Sequence, residues 1–277
     1  LTGIECHRAF PYHVYMKLKW LFIDNVSSYH EYSLDTRNDE LRFLFTENIT
    51  KYEGEISMCG FLFASEEKVG IEMFKKGYDN VFHRGPDNQT IEKNGGIWGF
   101  HRLSIMDLSS NGNQPFSYNG KKLICNGEVY NFLHLKELLK ESYEFKSESD
   151  CEVLIPLYEK FGFEIMLKML DAEFALVMYD EVTGEIMAGR DPIGIRPMFY
   201  GYDKVTKGIC FSSEAKGLIE FCDEVYPFPP GHYYKNGNFY LYNDLADPKI
   251  IIDEDIDKIT KKIREKLEAG IIKRLHS

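Results

Sequence analysis

At 277 residues the chain has room for one large domain or two modest ones, and with 44% apolar and 14% aromatic residues it is too hydrophobic to be disordered throughout. Its net charge of −11 argues against the broad basic face that nucleic acid or an anionic membrane would need. No apolar run approaches a membrane span, and the six cysteines (Cys6, Cys59, Cys125, Cys151, Cys210, Cys222) form neither a C-x-x-C pair nor a cluster with zinc spacing, so we expect reduced thiols, no bound metal and a cytoplasmic location.

Residues 1–57 show no clear helical or alternating period, and their longest apolar run, Trp20 to Ile23, is too short for a signal peptide. Three readings stand open for them: translated upstream sequence, a cleaved propeptide, or a true extension. From Met58 onward the pattern is regular. Cys59 to Ala64 reads as a short apolar strand, and Glu66 to Asn80 as a helix with Val69, Met73 and Phe74 inward. Ile97 to Ile105 and Lys121 to Cys125 are strand-like, while Phe132 to Glu141 and Cys151 to Phe161 are helical. Phe174 to Tyr179 is wholly apolar, as a strand covered on both faces would be. Further strands are expected at Glu185 to Gly189, Met198 to Tyr202, Ile209 to Ser212 and His232 to Tyr234, which makes a layered α+β domain over 58–245. In 246–277, Ile256, Ile259, Ile263, Leu267, Ile271 and Leu275 form the stripe of an amphipathic helix with Asp253 as its expected N-cap. Such a stripe needs a partner surface, and we read this segment as the first helix of a further domain.

The chemistry-bearing residues begin at Met58-Cys59-Gly60. A thiol nucleophile needs a base, and a cysteine at the start of a chain has one in its own α-amine, which titrates near pH 7.7–8.0; an ordinary strand cysteine after a methionine would look the same. Seven further motifs follow: His83-Arg84-Gly85-Pro86-Asp87, His101-Arg102-Leu103-Ser104-Ile105, Asn126-Gly127-Glu128-Val129-Tyr130-Asn131, Ser149-Asp150-Cys151-Glu152, Gly189-Arg190-Asp191-Pro192, Ser213 to Leu218, and Pro230-Gly231-His232-Tyr233. Taken singly, Arg102 could be a surface ion-pair partner, Asp150 a helix N-cap, and Asn126-Gly127 a tight turn.

In this order and spacing the motifs resemble the glutaminase half of the glutamine-hydrolysing asparagine synthetases, class II glutamine amidotransferases of the N-terminal-nucleophile hydrolase group. The likeness is close over Met58 to Tyr234 and looser beyond. It implies a four-layer αββα sandwich of two antiparallel sheets between helices. It also implies Cys59 as nucleophile, with the Asn126 side chain and the Gly127 N–H as oxyanion donors. Arg102 would take the glutamine carboxylate, Asp150 and Glu128 its ammonium, and Arg102, Leu103, Ser104, Ile105 and Met106 would line the pocket. His83 and His101 receive no catalytic role, and the Gly189 and Ser213 motifs read as a turn and a capped helix start. Glutamine is the expected substrate. The family's pyrophosphate loop, Ser-Gly-Gly-Leu-Asp-Ser, does not occur in these residues, so ATP, magnesium and asparagine synthesis would belong to a synthetase domain joined in cis. No cofactor is expected within 58–245, and a homodimer is left open. The rival families, amidophosphoribosyltransferase and glutamine–fructose-6-phosphate amidotransferase, fit the Pro86 loop and the Ser213 motif less well. A catalytically silent glutamine-binding module is the other alternative, because Cys59 joined to Met58 has no free amine.

Overall fold

In the computed structural model, residues 32–35, 42–45, 58–66, 68–245, 247 and 252–275 are described. The chain divides into two units, Leu1–Glu55 and Ile56–Ser277. In the first unit, β1 (Tyr32–Asp35) and β2 (Arg42–Phe45) pair antiparallel. The three readings of 1–57 otherwise fall outside the described residues.

The second unit contains two six-stranded sheets among its described residues. One runs in the order β12 (Cys222–Pro227), β10 (Phe199–Asp203), β11 (Ile209–Ser212), β3 (Gly60–Ala64), β5 (Ile97–Arg102), β4 (Asn88–Lys93). The other runs β14 (Asn238–Leu241), β13 (His232–Lys235), β9 (Glu185–Arg190), β8 (Ala172–Asp180), β7 (Lys121–Val129), β6 (Phe116–Tyr118). Every pairing in both sheets is antiparallel.

Strand alternation sorts the apolar residues into three layers. On β3, Phe61 and Phe63 point between the sheets, while Leu62 and Ala64 point outward to α1 (Ile71–Asp79). On β8, Ala175 and Val177 face the inter-sheet layer, while Phe174, Leu176 and Met178 pack toward α2 (Phe132–Leu139), α3 (Leu154–Phe161) and α4 (Phe163–Met169). The apolar run of β8 is therefore buried on both faces, here by antiparallel rather than parallel neighbours. Helix, sheet, sheet, helix is the αββα sandwich that the resemblance implied.

Several boundaries differ from expectation. The first helix starts at Ile71 rather than Glu66, although Phe74 and Tyr78 bury as one face. The strand from Ile97 ends at Arg102, because 103–113 leaves the sheet as a loop. Strand β7 is longer than expected and contains Asn126-Gly127-Glu128, which pair with Ala175, Phe174 and Glu173. That dipeptide is thus mid-strand, not a turn. The Ser213 to Leu218 motif gives only a 3-10 turn, Ala215–Gly217, whose N-cap Glu214 has no side-chain cap bond. Helix α5 (Ile256–Arg274) is capped by Asp255, not Asp253, and none of its residues is buried; its apolar stripe is exposed, with Leu267 at 64%. No described helix is long and apolar enough to cross a membrane.

The Gly189 motif is a turn with one organising group. Asp191, 1% exposed, accepts five backbone N–H groups: Ile193, Gly194 and Ile195 on Oδ1 (3.1, 2.6 and 2.9 Å), Arg196 and Phe174 on Oδ2 (3.0 and 3.3 Å). Arg190 closes the same turn by donating to the carbonyls of Gly194, Arg196 and Phe228. An Asp191→Asn substitution turns one acceptor oxygen into a donor against backbone N–H groups. The expected cost is about 2–3 kcal/mol, the scale of hydrogen bonds to a charged group, read as a lower urea midpoint at unchanged slope.

Candidate active site

Cys59 lies immediately before β3, a central strand of its sheet, and packs against the inter-sheet layer. Side chains and backbone of two motifs fix the start of this strand. Arg84 lies over Gly60 and donates from Nε to the Cys59 carbonyl at 3.0 Å. Glu214 Oε1 in turn accepts from Arg84 Nη1 at 2.9 Å and meets His83 Nε2 at 3.1 Å. Ser213 exchanges two hydrogen bonds with Phe61, N–H to carbonyl and N–H to hydroxyl, both at 3.0 Å. The motifs at His83 and Ser213 thus clamp the strand that presents the thiol. The Cys59 Sγ accepts from Leu103 N–H at 3.3 Å and lies 3.4 Å from the Leu103 carbonyl. Burial pushes the thiol above its ordinary pKa; the Leu103 contact and the charges of Arg196 and Arg102 pull the other way without reversing the shift.

The thiol opens into a small cleft. Its walls come from both sheets and two loops. Arg102, Leu103, Ile105, Met106 and Asp107 contribute from β5 and the loop after it; Gly127, Glu128 and Asp150 stand opposite. Ser104 is not in the wall: its N–H is taken by Asp87 Oδ2 at 2.7 Å, which ties the loop to the Pro86 motif. Cys125 and Cys151 also line the cleft.

The expected oxyanion donors fall on β7. Alternation puts Asn126 on the inter-sheet side with Ile124, the layer against which Cys59 packs. Asn126 is 2% exposed and its Nδ2 has no protein partner, a costly arrangement unless something accepts from it. Gly127 stands opposite Phe174, whose N–H and carbonyl both engage Asp191 on the far side of β8. The Gly127 N–H therefore points off the free edge of β7. Its neighbours on that edge are already engaged: Cys125 N–H donates to Gln114 Oε1 at 2.6 Å and Val129 N–H to Asp150 Oδ2 at 2.6 Å. A Cβ on Gly127 would stand 2.6 Å from the Glu173 carbonyl oxygen, so only glycine allows this approach.

The ionic groups divide between cradle and cleft. Arg102, 6% exposed, donates from Nη1 to the Ser109 carbonyl (2.7 Å) and Asn113 Oδ1 (2.6 Å), and from Nη2 to the Asp107 carbonyl. Gly112 makes room for it, since a Cβ there would lie 2.3 Å from Nη2. Asp150 is not an N-cap; Ser149 caps the 3-10 turn Asp150–Val153 by accepting from Cys151 N–H. Burial pushes the Asp150 carboxyl up, the bond from Val129 N–H opposes this, and the charge of Glu128 adds to the rise. Arg196, which sequence reasoning did not single out, lies 2.7 Å from Glu173 and 3.6 Å from Glu128, with Met58 Sδ 2.7 Å from its Nη1. His101 is stacked on Tyr78 at 3.7 Å with Nε2 on the Tyr78 carbonyl, and burial lowers its pKa. It serves the α1 layer. Among the described residues no group of three or more His, Cys, Asp or Glu is arranged to hold a metal ion.

Residues 58–242 match the glutamine amidotransferase domain family. The chain is 38% identical over 230 residues to the probable glutamine-hydrolysing asparagine synthetase of Schizosaccharomyces pombe, covering 79% of this chain and 41% of that one. It is 36% identical over 229 residues to glutamine-hydrolysing asparagine synthetase 1 of Saccharomyces cerevisiae, covering 79% and 39%. The chain thus spans about two-fifths of the length of these curated relatives. In fold it resembles the glutamine phosphoribosylpyrophosphate amidotransferase of B. subtilis, with a TM-score of 0.57 at 20% identity over 67% of this chain and 49% of that one. On its match over 58–242, this chain belongs to the glutamine amidotransferase domain family.

Proposed function

We propose that the 58–242 domain hydrolyses glutamine to glutamate and ammonia with Cys59 as nucleophile. The observation that carries this reading is a half-buried thiol sharing one cleft with Arg102, Glu128 and Asp150, while Asn126, next along β7 from the cleft's Gly127, has an amide donor with no partner. The Cys59 thiolate attacks the carboxamide carbon; Asn126 Nδ2 and Gly127 N–H stabilise the oxyanion; ammonia leaves, and water hydrolyses the γ-glutamyl thioester. Arg102 holds the substrate carboxylate, and Asp150 with Glu128 its ammonium. The α-amine of Cys59 serves as the base once Cys59 is the first residue. The ammonia released here feeds ATP- and magnesium-dependent formation of asparagine from aspartate in a synthetase domain joined in cis. The protein works in the cytoplasm, where its thiols stay reduced.

One observation favours a second reading for the form in which Met58 is still attached. There the Cys59 nitrogen is an amide, Met58 Sδ rests on Arg196, and burial holds the thiol up. That form binds glutamine but turns it over poorly, since general-base assistance contributes about 10²–10⁴ in rate.

Three measurements test these assignments. Glutamate release by a chain starting at Cys59 is expected to exceed that of the 277-residue chain by about 10² or more; equal rates would defeat the free-amine argument, and release by a Cys59→Ala version would defeat the nucleophile assignment. Asn126→Ala in the short chain is expected to lower kcat by about 10²–10³ with little change in KM, as loss of one oxyanion donor does. A drop confined to KM would place Asn126 in ground-state binding instead. In the 277-residue chain the raised thiol keeps Cys59 protonated at neutral pH, so its alkylation by iodoacetamide should still be rising at about pH 9. A plateau below about pH 8 would contradict the shift.

A further inference from the structure

Asp107 follows the 102–106 stretch directly, yet no role in the chemistry above falls to it. Its carboxylate sits between two loops. Oδ1 accepts from Ser109 N–H at 2.7 Å, within the loop that cradles Arg102. Oδ2 accepts from Glu148 N–H at 2.9 Å, in the loop that leads to Asp150. The Asp107 main-chain carbonyl accepts from Arg102 Nη2, and Ser109, held by Oδ1, gives its own carbonyl to Arg102 Nη1. On the other side Ser149, next after Glu148, caps the turn that carries Asp150. One buried side chain thus joins the cradle of the cleft's cation to the support of its anion.

Resting on the glutamine reading above, we propose that Asp107 is the positioning residue that sets the spacing between Arg102 and Asp150. It thereby makes the site selective for amides bearing both an α-carboxylate and an α-ammonium. Two charges on a substrate reinforce each other only when their partners are held at a fixed separation. The cation's cradle is a loop without strand; Asn111 Nδ2 also donates to the Lys146 carbonyl at 3.0 Å, but among the described residues Asp107 supplies the carboxylate tie between the cradle and the 143–149 loop. An amide bearing the carboxylate alone uses Arg102 alone and gains little from the spacing.

The test is calorimetric titration of the 277-residue chain with two ligands, L-glutamine and 4-carbamoylbutanoate, which is glutamine without its ammonium. In the native chain glutamine binds more tightly. In Asp107→Asn, where one carboxylate oxygen becomes a donor facing a backbone N–H, the glutamine Kd should rise about tenfold and the 4-carbamoylbutanoate Kd less than about threefold. Ser109→Pro gives a second variant: Ser109 has φ −82°, and proline there removes the N–H that Oδ1 holds, together with the hydroxyl that accepts from the exposed Asn111 N–H. It should narrow the preference in the same direction, and it decides the matter if Asp107→Asn does not fold. Parallel weakening of both ligands, or an unchanged ratio, overturns the positioning role while leaving the glutamine reading intact. Failure of the native chain to bind glutamine overturns that reading and this inference with it.

Discussion

The packing of one sheet on the other is the constraint on which the site depends. Cys59 enters from the sheet centred on β3, while Asn126 and Gly127 belong to β7 of the facing sheet. The thiol and the amide therefore meet only through the inter-sheet layer built on Phe61, Phe63, Trp98, Phe211 and Phe228. These rings are fully or almost fully buried, each contributing on the order of 2–3 kcal/mol by transfer from water. A cavity in that layer would shift the sheets and so the geometry across the cleft, although none of these five rings lines it. Core and cleft are the same interface seen at its middle and at its rim.

The remaining polar architecture attaches irregular backbone to that rim through carboxylates that accept main-chain N–H groups. Asp191 holds the turn carrying Arg196, Asp107 holds two loops, and Glu152 collects Ser147 N–H and Oγ, Lys146 N–H and the Tyr143 hydroxyl. Each is at most 7% exposed, so each works where water cannot compete for the donors. Loops in ordinary surface positions move and vary; these are pinned by bonds of the charge-assisted kind.

How much of this could be read from residues alone depends on range. The motif order around Cys59, Arg102, Asn126 and Asp150 was legible, and the structure brings Cys59, Arg102, Gly127, Glu128 and Asp150 to one cleft with Asn126 buried beside it. The doubly covered run Phe174 to Tyr179 was legible because both alternating faces are apolar. Strand β4, Asn-Gln-Thr-Ile-Glu-Lys, was not, since an edge strand half in water carries little periodic signal. Asn126-Gly127 carried a local turn signal that pairing with β8 overrode. Arg196 gives no local sequence signal because its partners Glu128 and Glu173 are distant in the chain, and only the folded turn at Asp191 brings them within reach. Asp107 carries no sequence signal because its partners lie in two loops that meet only after folding.

The depth at which Asp191 is buried has a consequence for how salt acts on this molecule. At 1% exposure its charge is beyond the reach of mobile ions, so the turn that aims Arg196 keeps its shape as ionic strength rises. The ion pairs of α5 lie in solvent: Lys261–Glu265, Arg264–Glu268, and Lys273–Asp171, which ties the end of the helix to the residue before β8. Counter-ions weaken these first. Salt therefore acts unequally: the turn at Asp191 keeps its bonds while the exposed ion pairs of α5 weaken.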